Sequence, residues 1–224
     1  LDQMVLHEGW PRPDPAPDEV LIRVGACGLN NTDVNTRSGW YSKTVTDATT
    51  GGAFEVVGKD DPTWGGAPIT FPRIQGADVC GEIVAVGENV DPSRVGERVI
   101  TDGWLRDAND PDDMNKTGYF GSERDGGFAE FTTTPSGNAL AVQSDLSDSE
   151  LATFSCSYST AEGMLTRAQV TANDTVLVPG ASGGVGGALV QLAKRRGARV
   201  IAIASEAKHE DVARLGPDVI LPRA

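Results

Sequence analysis

Ala181-Ser-Gly183-Gly-Val-Gly186 lies between an apolar run, Val176 to Val178, and a stretch in which Val185, Ala188, Leu189 and Leu192 share one helical face. A strand feeding a helix through a glycine turn is an anion site. The helix N-terminus offers free backbone N–H groups, and small residues let a pyrophosphate come close. Gly183 is expected to bring backbone to the pyrophosphate and Gly186 to let the helix pack near the sheet. Ala181 stands where the strictest form of the fingerprint has its first glycine. The candidate phosphate-binding residues are therefore Ala181, Ser182, Gly183, Gly184, Val185 and Gly186. A purely structural turn is the alternative, but strand and helix both flank these glycines, as a dinucleotide-binding motif requires.

The choice of dinucleotide is read at the end of the next strand. A free ribose 2′-hydroxyl usually meets a carboxylate there, whereas a 2′-phosphate needs that carboxylate absent and a cation or hydroxyl nearby. The strand Val200 to Ala204 is followed by Ser205, and Lys208 comes soon after. Ser205 and Lys208 point to NADP(H). Glu206 would favour NAD if the strand ran a residue or two longer; otherwise it is an exposed acid in the first turn of a helix.

These residues need elements to hold them. From Thr175 onward the pattern reads strand, glycine turn, helix, strand, helix from Glu206 to Leu215, and strand over Asp218 to Leu221. This is β-α-β-α-β, the first half of a doubly wound parallel sheet. Just upstream, Ser147 and Glu150 have capping-box spacing, and Leu151, Phe154, Tyr158, Ala161 and Leu165 recur along one helical face. The first part of the chain is different. A proline-rich lead-in, Pro11 to Pro17, precedes a strand in which Val20, Ile22 and Val24 alternate as for one buried face. Further strands are expected over Glu82 to Val86 and Glu97 to Thr101, bounded by glycines. Polar stretches over 42–70 and 102–127 read as long surface loops. The expected fold is α/β, a β-rich domain over 1–143 followed by a partial Rossmann domain over 144–224.

Composition excludes several classes of partner. The 224 residues carry 32 acidic and 19 basic side chains, a net charge of −13, which argues against nucleic acid and anionic membrane. No apolar run is long enough to span a bilayer. Cys27, Cys80 and Cys156 lack C-x-x-C spacing, so reduced thiols in a cytoplasmic protein are expected, with Cys156 a buried small residue.

Taken in order, Gly28-Leu-Asn-Asn-Thr-Asp-Val-Asn-Thr-Arg-Ser-Gly-Trp-Tyr41, Gly76-Ala-Asp-Val-Cys-Gly-Glu-Ile-Val-Ala-Val-Gly87, Gly126-Gly-Phe-Ala-Glu130 and the glycine turn resemble the medium-chain dehydrogenase/reductase superfamily. Within it the chain looks most like the zinc-independent quinone oxidoreductase branch. The resemblance implies a GroES-like catalytic domain followed by a Rossmann domain, with the nicotinamide in the cleft between them. It also implies that Thr160 lies near the nicotinamide; a hydroxyl satisfied within its own helix is the alternative. Where zinc-dependent relatives carry ligands, this sequence has Asn30, Ala77 with Asp78, and Cys156, and catalytic zinc needs more donors than these supply. No bound metal is expected.

Without a Lewis acid, a carbonyl must be polarised by hydrogen-bond donors, and Asn30 and Tyr41 are the candidates. Asn30 could equally cap a turn, Tyr41 could be a packing aromatic, and Asp33 with Arg37 could form a helical ion pair. The expected activity is zinc-independent, NADPH-dependent hydride transfer to a quinone or α,β-unsaturated carbonyl. A non-catalytic nucleotide-binding protein and a zinc-dependent alcohol dehydrogenase using Cys156 and Asp78 are the rivals. The chain starts at Leu1 and ends after the third Rossmann strand, where the resemblance implies roughly another hundred residues. It is therefore expected to be a fragment of a protein that is a homodimer when full length.

Overall fold

A computed structural model describes residues 4–37, 69–107, 109–113 and 116–223. Tyr41 and nearly all of the 42–70 stretch lie outside the described residues. The chain divides into two compact units, Leu1–Ala152 and Thr153–Ala224.

The first unit is built on an antiparallel sheet of β1 (Glu19–Gly28), β2 (Asp78–Val86), β3 (Arg98–Thr101), β6 (Phe131–Pro135) and β7 (Ala139–Ala141), in the order β6-β1-β2-β3-β7. One face carries a core of Val20, Ile22, Val79, Ile83, Val99 and Phe120. The other buries Cys80 against Leu151 and Ala152. Alternation in β1 predicts a single buried face. Instead Val20, Leu21 and Ile22 are all buried, and a register shift separates Leu21 from Ile22. A bulge of this kind re-aims neighbouring side chains, and with both faces of the sheet covered, strict alternation is lost.

The 102–127 stretch is not the surface loop its polarity suggests. It forms a short antiparallel pair, β4 (Trp104–Leu105) with β5 (Gly118–Tyr119), and buries Thr117, Tyr119, Phe120 and Ser122. Phe120 alone places it in the main core, a contribution hidden by the polar majority around it.

The capping box forms as its spacing requires: Glu150 N–H donates to Ser147 Oγ at 3.3 Å, and Ser147 N–H donates to Glu150 Oε2 at 2.8 Å. The helix it starts, α2 (Asp148–Leu151), is short, and a separate α3 (Ser155–Arg167) follows. The single helical face read across this region is thus two helices serving two cores: Leu151 packs beside Cys80, while Leu165 belongs to the core of the second unit. Arg98 ties the approach to α2 down, donating to Ser144 O at 3.0 Å, Leu146 O at 2.7 Å and Asp148 Oδ1 at 2.6 Å. These bonds keep 144–152 with the first unit, so the division falls after Ala152 rather than at 143.

The second unit is the expected β-α-β-α-β. Strands β8 (Thr175–Pro179), β9 (Arg199–Ala204) and β10 (Val219–Pro222) are parallel in the order β10-β9-β8, connected through α4 (Gly184–Arg195) and α5 (His209–Ala213). Val178, Val200, Ala202 and Ala204 form one core with Ala188-flanking Val190, Ala193 and Val212. Leu177 and Leu221 are 56% and 43% exposed, so the opposite face of this sheet is open.

Candidate functional site

The parallel register sets the strand ends side by side, with Pro179 opposite Ile203 and Pro222 opposite Ala204. Beyond Pro179 the chain must turn sharply into α4. Gly180 does this with φ of +72°, a left-handed conformation that glycine adopts at little cost. Ala181 is fully buried, and its N–H is spent on Ile203 O at 3.0 Å, which moors the turn to β9. A Cβ on Gly186 would lie 2.2 Å from Gly180 O, so only glycine lets α4 begin this close to the turn.

The helix opens without a lid. Its N-cap is Gly183, which provides no side-chain hydrogen bond, and the first bond of the helix runs from Gly187 N–H to Gly183 O at 2.7 Å. The N–H groups of Gly184, Val185 and Gly186 come before that bond, so they are the unpaired donors of a helix start. Ser182, Gly183 and Gly184 are exposed. These donors, aligned with the helix dipole, suit a phosphate and fit the diphosphate of a dinucleotide.

At the neighbouring strand end, β9 stops at Ala204. Ser205 is exposed directly after it, and Lys208 N–H donates to Ser205 O at 2.8 Å in the short turn that follows. Lys208 Nζ sits 3.3 Å from Asp211 Oδ2, with both side chains 56% exposed. An ion pair so exposed is weak, and the ammonium can reorient. Glu206 lies past the strand end, within that turn. Arg223, which the sequence reading did not single out, lies at the same edge, donating its N–H to Ala204 O at 2.9 Å. Thr160 is half-buried on α3.

In the first unit, Asn30 precedes the short helix α1 (Asn31–Arg37) and caps it. Thr32 N–H donates to Asn30 Oδ1 at 3.2 Å, and Asn30 N–H donates to Asp33 Oδ2 at 2.9 Å. The remaining amide function, Nδ2, donates to Asp78 Oδ2 at 3.4 Å. Asp33 is thus turned inward as part of the cap instead of pairing with Arg37. Burial pushes its carboxyl above the usual range even though the N–H groups of Asn30 and Gly76 work in the opposite direction. Beside it, burial and the charges of Asp33 and Asp78 push the Cys27 thiol up to about 12.

Cys27 stays protonated, the Asn30 amide is engaged in the cap, and Ala77 is a buried methyl. Among the described residues no group of three or more His, Cys, Asp or Glu is placed to hold a metal. Cys156 is half-buried; the fully buried thiol is Cys80. No described helix is long and apolar enough to cross a membrane.

The glycines of the two upstream motifs meet one another. Gly126 N–H donates to Ile74 O and Gly127 N–H to Gly76 O, each at 2.7 Å. A Cβ on Gly76, itself at φ of +98°, would strike Cys27 Sγ and the Phe128 ring at 2.7 Å. These motifs therefore pack the strand holding Asp78 against the loop of Phe128.

Comparison with known proteins agrees with this arrangement. Residues 16–144 match the alcohol dehydrogenase GroES-like domain. An alcohol dehydrogenase of Aspergillus sp. is 30% identical over 91% of this chain and 55% of its own length. Human quinone oxidoreductase is 30% identical over 86% of this chain and 46% of its own length. A solved structure from Sinorhizobium meliloti 1021, provisionally described as an alcohol dehydrogenase, superposes with a TM-score of 0.84 at 46% identity, over 100% of this chain and 59% of that one. The chain spans about half the length of the curated relatives it matches. With its GroES-like unit, its parallel β-α-β-α-β unit and motifs in this order, the chain belongs to the medium-chain dehydrogenase/reductase superfamily.

Proposed function

We propose that the whole protein transfers hydride from NADPH to a quinone or α,β-unsaturated carbonyl without a metal. The observation that carries the cofactor reading is the end of β9. The strand stops at Ala204, so Ser205 holds the position beside the glycine turn and Glu206 falls beyond it. A hydroxyl with Lys208 and Arg223 nearby favours a 2′-phosphate over a free 2′-hydroxyl. The dinucleotide, when bound, supplies the hydride. The chain's own contribution is to hold the diphosphate at Gly184, Val185 and Gly186, with Thr160 as a further contact to the cofactor.

The donor set favours an acceptor that asks little of it. Asn30 Nδ2 carries two hydrogens, and one is directed at Asp78. The other is free to meet the oxygen of a conjugated carbonyl, where charge accumulates at a distance from the carbon that accepts hydride. Tyr41 is proposed as the second donor. The likeness to human quinone oxidoreductase supports this acceptor class. A second reading, nucleotide binding without turnover, is favoured by the Asn30 cap, which by itself accounts for that residue.

Parallel titration of the full-length protein with NADPH and NADH, followed by a panel of quinones and enones, separates these readings. Tighter binding of NADPH and its oxidation by at least one acceptor are expected. Preference for NADH overturns the Ser205 argument, binding without oxidation favours the second reading, and activity that depends on stoichiometric zinc overturns the metal-free mechanism.

A further inference from the structure

The residues of the glycine turn explain one another, but Ser157 on α3 is left over. It is 8% exposed, and its hydroxyl makes no hydrogen bond to a described residue. The oxygen is not wholly enclosed, so the hydroxyl keeps a hydrogen bond to offer at the surface. Its oxygen is directed at the start of α4: a Cβ on Gly184 would lie 2.6 Å from Ser157 Oγ and 3.6 Å from its Cβ. The Ser157 hydroxyl thus occupies the space in front of the bare Gly184. This is also where the uncapped N–H groups of Gly184, Val185 and Gly186 begin.

We propose that Ser157 donates a hydrogen bond to a phosphate oxygen of the bound dinucleotide's diphosphate, as a side-chain member of the anion site that the α4 backbone begins. The proposal rests on the cofactor reading above and adds a residue from a different helix. The backbone donors of a helix start bind any anion presented to them. A hydroxyl fixed by α3 adds a direction, so that one phosphate is held at a set distance from α3 and hence from Thr160 on the same helix. The hydroxyl is held in place by α3, and its open hydrogen bond is made by the ligand.

The test is Ser157→Ala in the full-length protein, titrated with NADPH and, by competition, with ADP and adenosine, alongside thermal unfolding of the free protein. Removing a hydroxyl that makes no bond to a described residue leaves the melting temperature about unchanged, so the variant is expected to fold. Affinity for NADPH and for ADP is expected to fall about tenfold, the loss of one hydrogen bond to a charged group, while adenosine binding is unchanged. Unchanged affinity for NADPH and ADP overturns the proposal and leaves the cofactor reading intact. An equal loss for adenosine also overturns it, since the effect would not then be on phosphate. Failure of the unsubstituted protein to bind any dinucleotide overturns both, and is seen before any variant is made.

Discussion

Two helix starts in this protein are built to opposite plans. At α1 the cap is made from within: Asn30 Oδ1 accepts from Thr32, Asp33 Oδ2 accepts from Asn30, and the spare amide turns to Asp78, while the Thr32 hydroxyl is buried without a partner among the described residues. At α4 the N-cap is a glycine with no side-chain bond, the preceding turn is glycine again, and the Ser157 hydroxyl in front of Gly184 makes no hydrogen bond to a described residue. The first start carries a side-chain cap, which serves the fold. The second is left without one, and that opening is what the proposed diphosphate would meet. Chemically similar residue types therefore carry different information according to whether their hydrogen bonds are already made.

The sharpest way to break this contrast is to complete α4. Gly183→Asp places a carboxylate at the N-cap, where a Cβ meets only Gly180 O at 3.5 Å. Stability should rise by about 0.5 kcal/mol through the cap and the helix dipole, while NADPH affinity should fall more than about tenfold as the carboxylate repels phosphate. Denaturant unfolding and fluorescence titration of the same preparation read both effects. A variant more stable and still tight-binding would mean that the diphosphate does not sit at this helix.

The converse experiment removes the cap at α1. Asn30→Ala should cost about 1 kcal/mol of stability, the usual loss for such a cap, whatever its effect on turnover. Asn30→Ser, which retains the capping oxygen but lacks the amide, separates the two roles. If it restores stability but not turnover, the amide acts on substrate; if it restores both, Asn30 is a cap alone.

The smallest effect is expected from Asp33. Its pKa is raised by burial above the ordinary 3.8, so the native state holds its proton more tightly than the unfolded chain. That contribution is present in acid and is lost as pH rises from about 3.8 through the raised folded value. Relative to the unsubstituted protein, Asp33→Asn should gain stability across this interval and level off above it. Unfolding curves at several pH values check the sign, and a change in the other direction would show that hydrogen bonding at Asp33 outweighs burial.

How far the sequence reveals this arrangement depends on how local each feature is. The glycine turn, the capping box at Ser147 and the β-α-β-α-β order are set by neighbours in the chain, and all are legible there. The alternation of Val20, Ile22 and Val24 marks the face that joins one core, but the burial of Leu21 on the other face is a tertiary fact that alternation cannot show. Phe120 is overlooked because one aromatic among polar residues has no pattern. Asn30 and Asp33 have a legible cap spacing, yet the four-residue step from Asp33 to Arg37 draws attention to a helical ion pair instead. Ser157 gives no signal in sequence at all, since its meaning arises only where α3 meets the bare Cα of Gly184.

The half-buried thiol of Cys27, beside Asp33 and Asp78, has a consequence for the acceptors proposed above. Quinones and α,β-unsaturated carbonyls are electrophiles that add to sulfur, and they react with the thiolate rather than the thiol. With its pKa near 12, Cys27 is ionised in only about one molecule in 10⁵ at neutral pH. Burial first, and then the charges of Asp33 and Asp78, hold that proton in place, so under the proposed activity the sulfur would be spared alkylation by the acceptor.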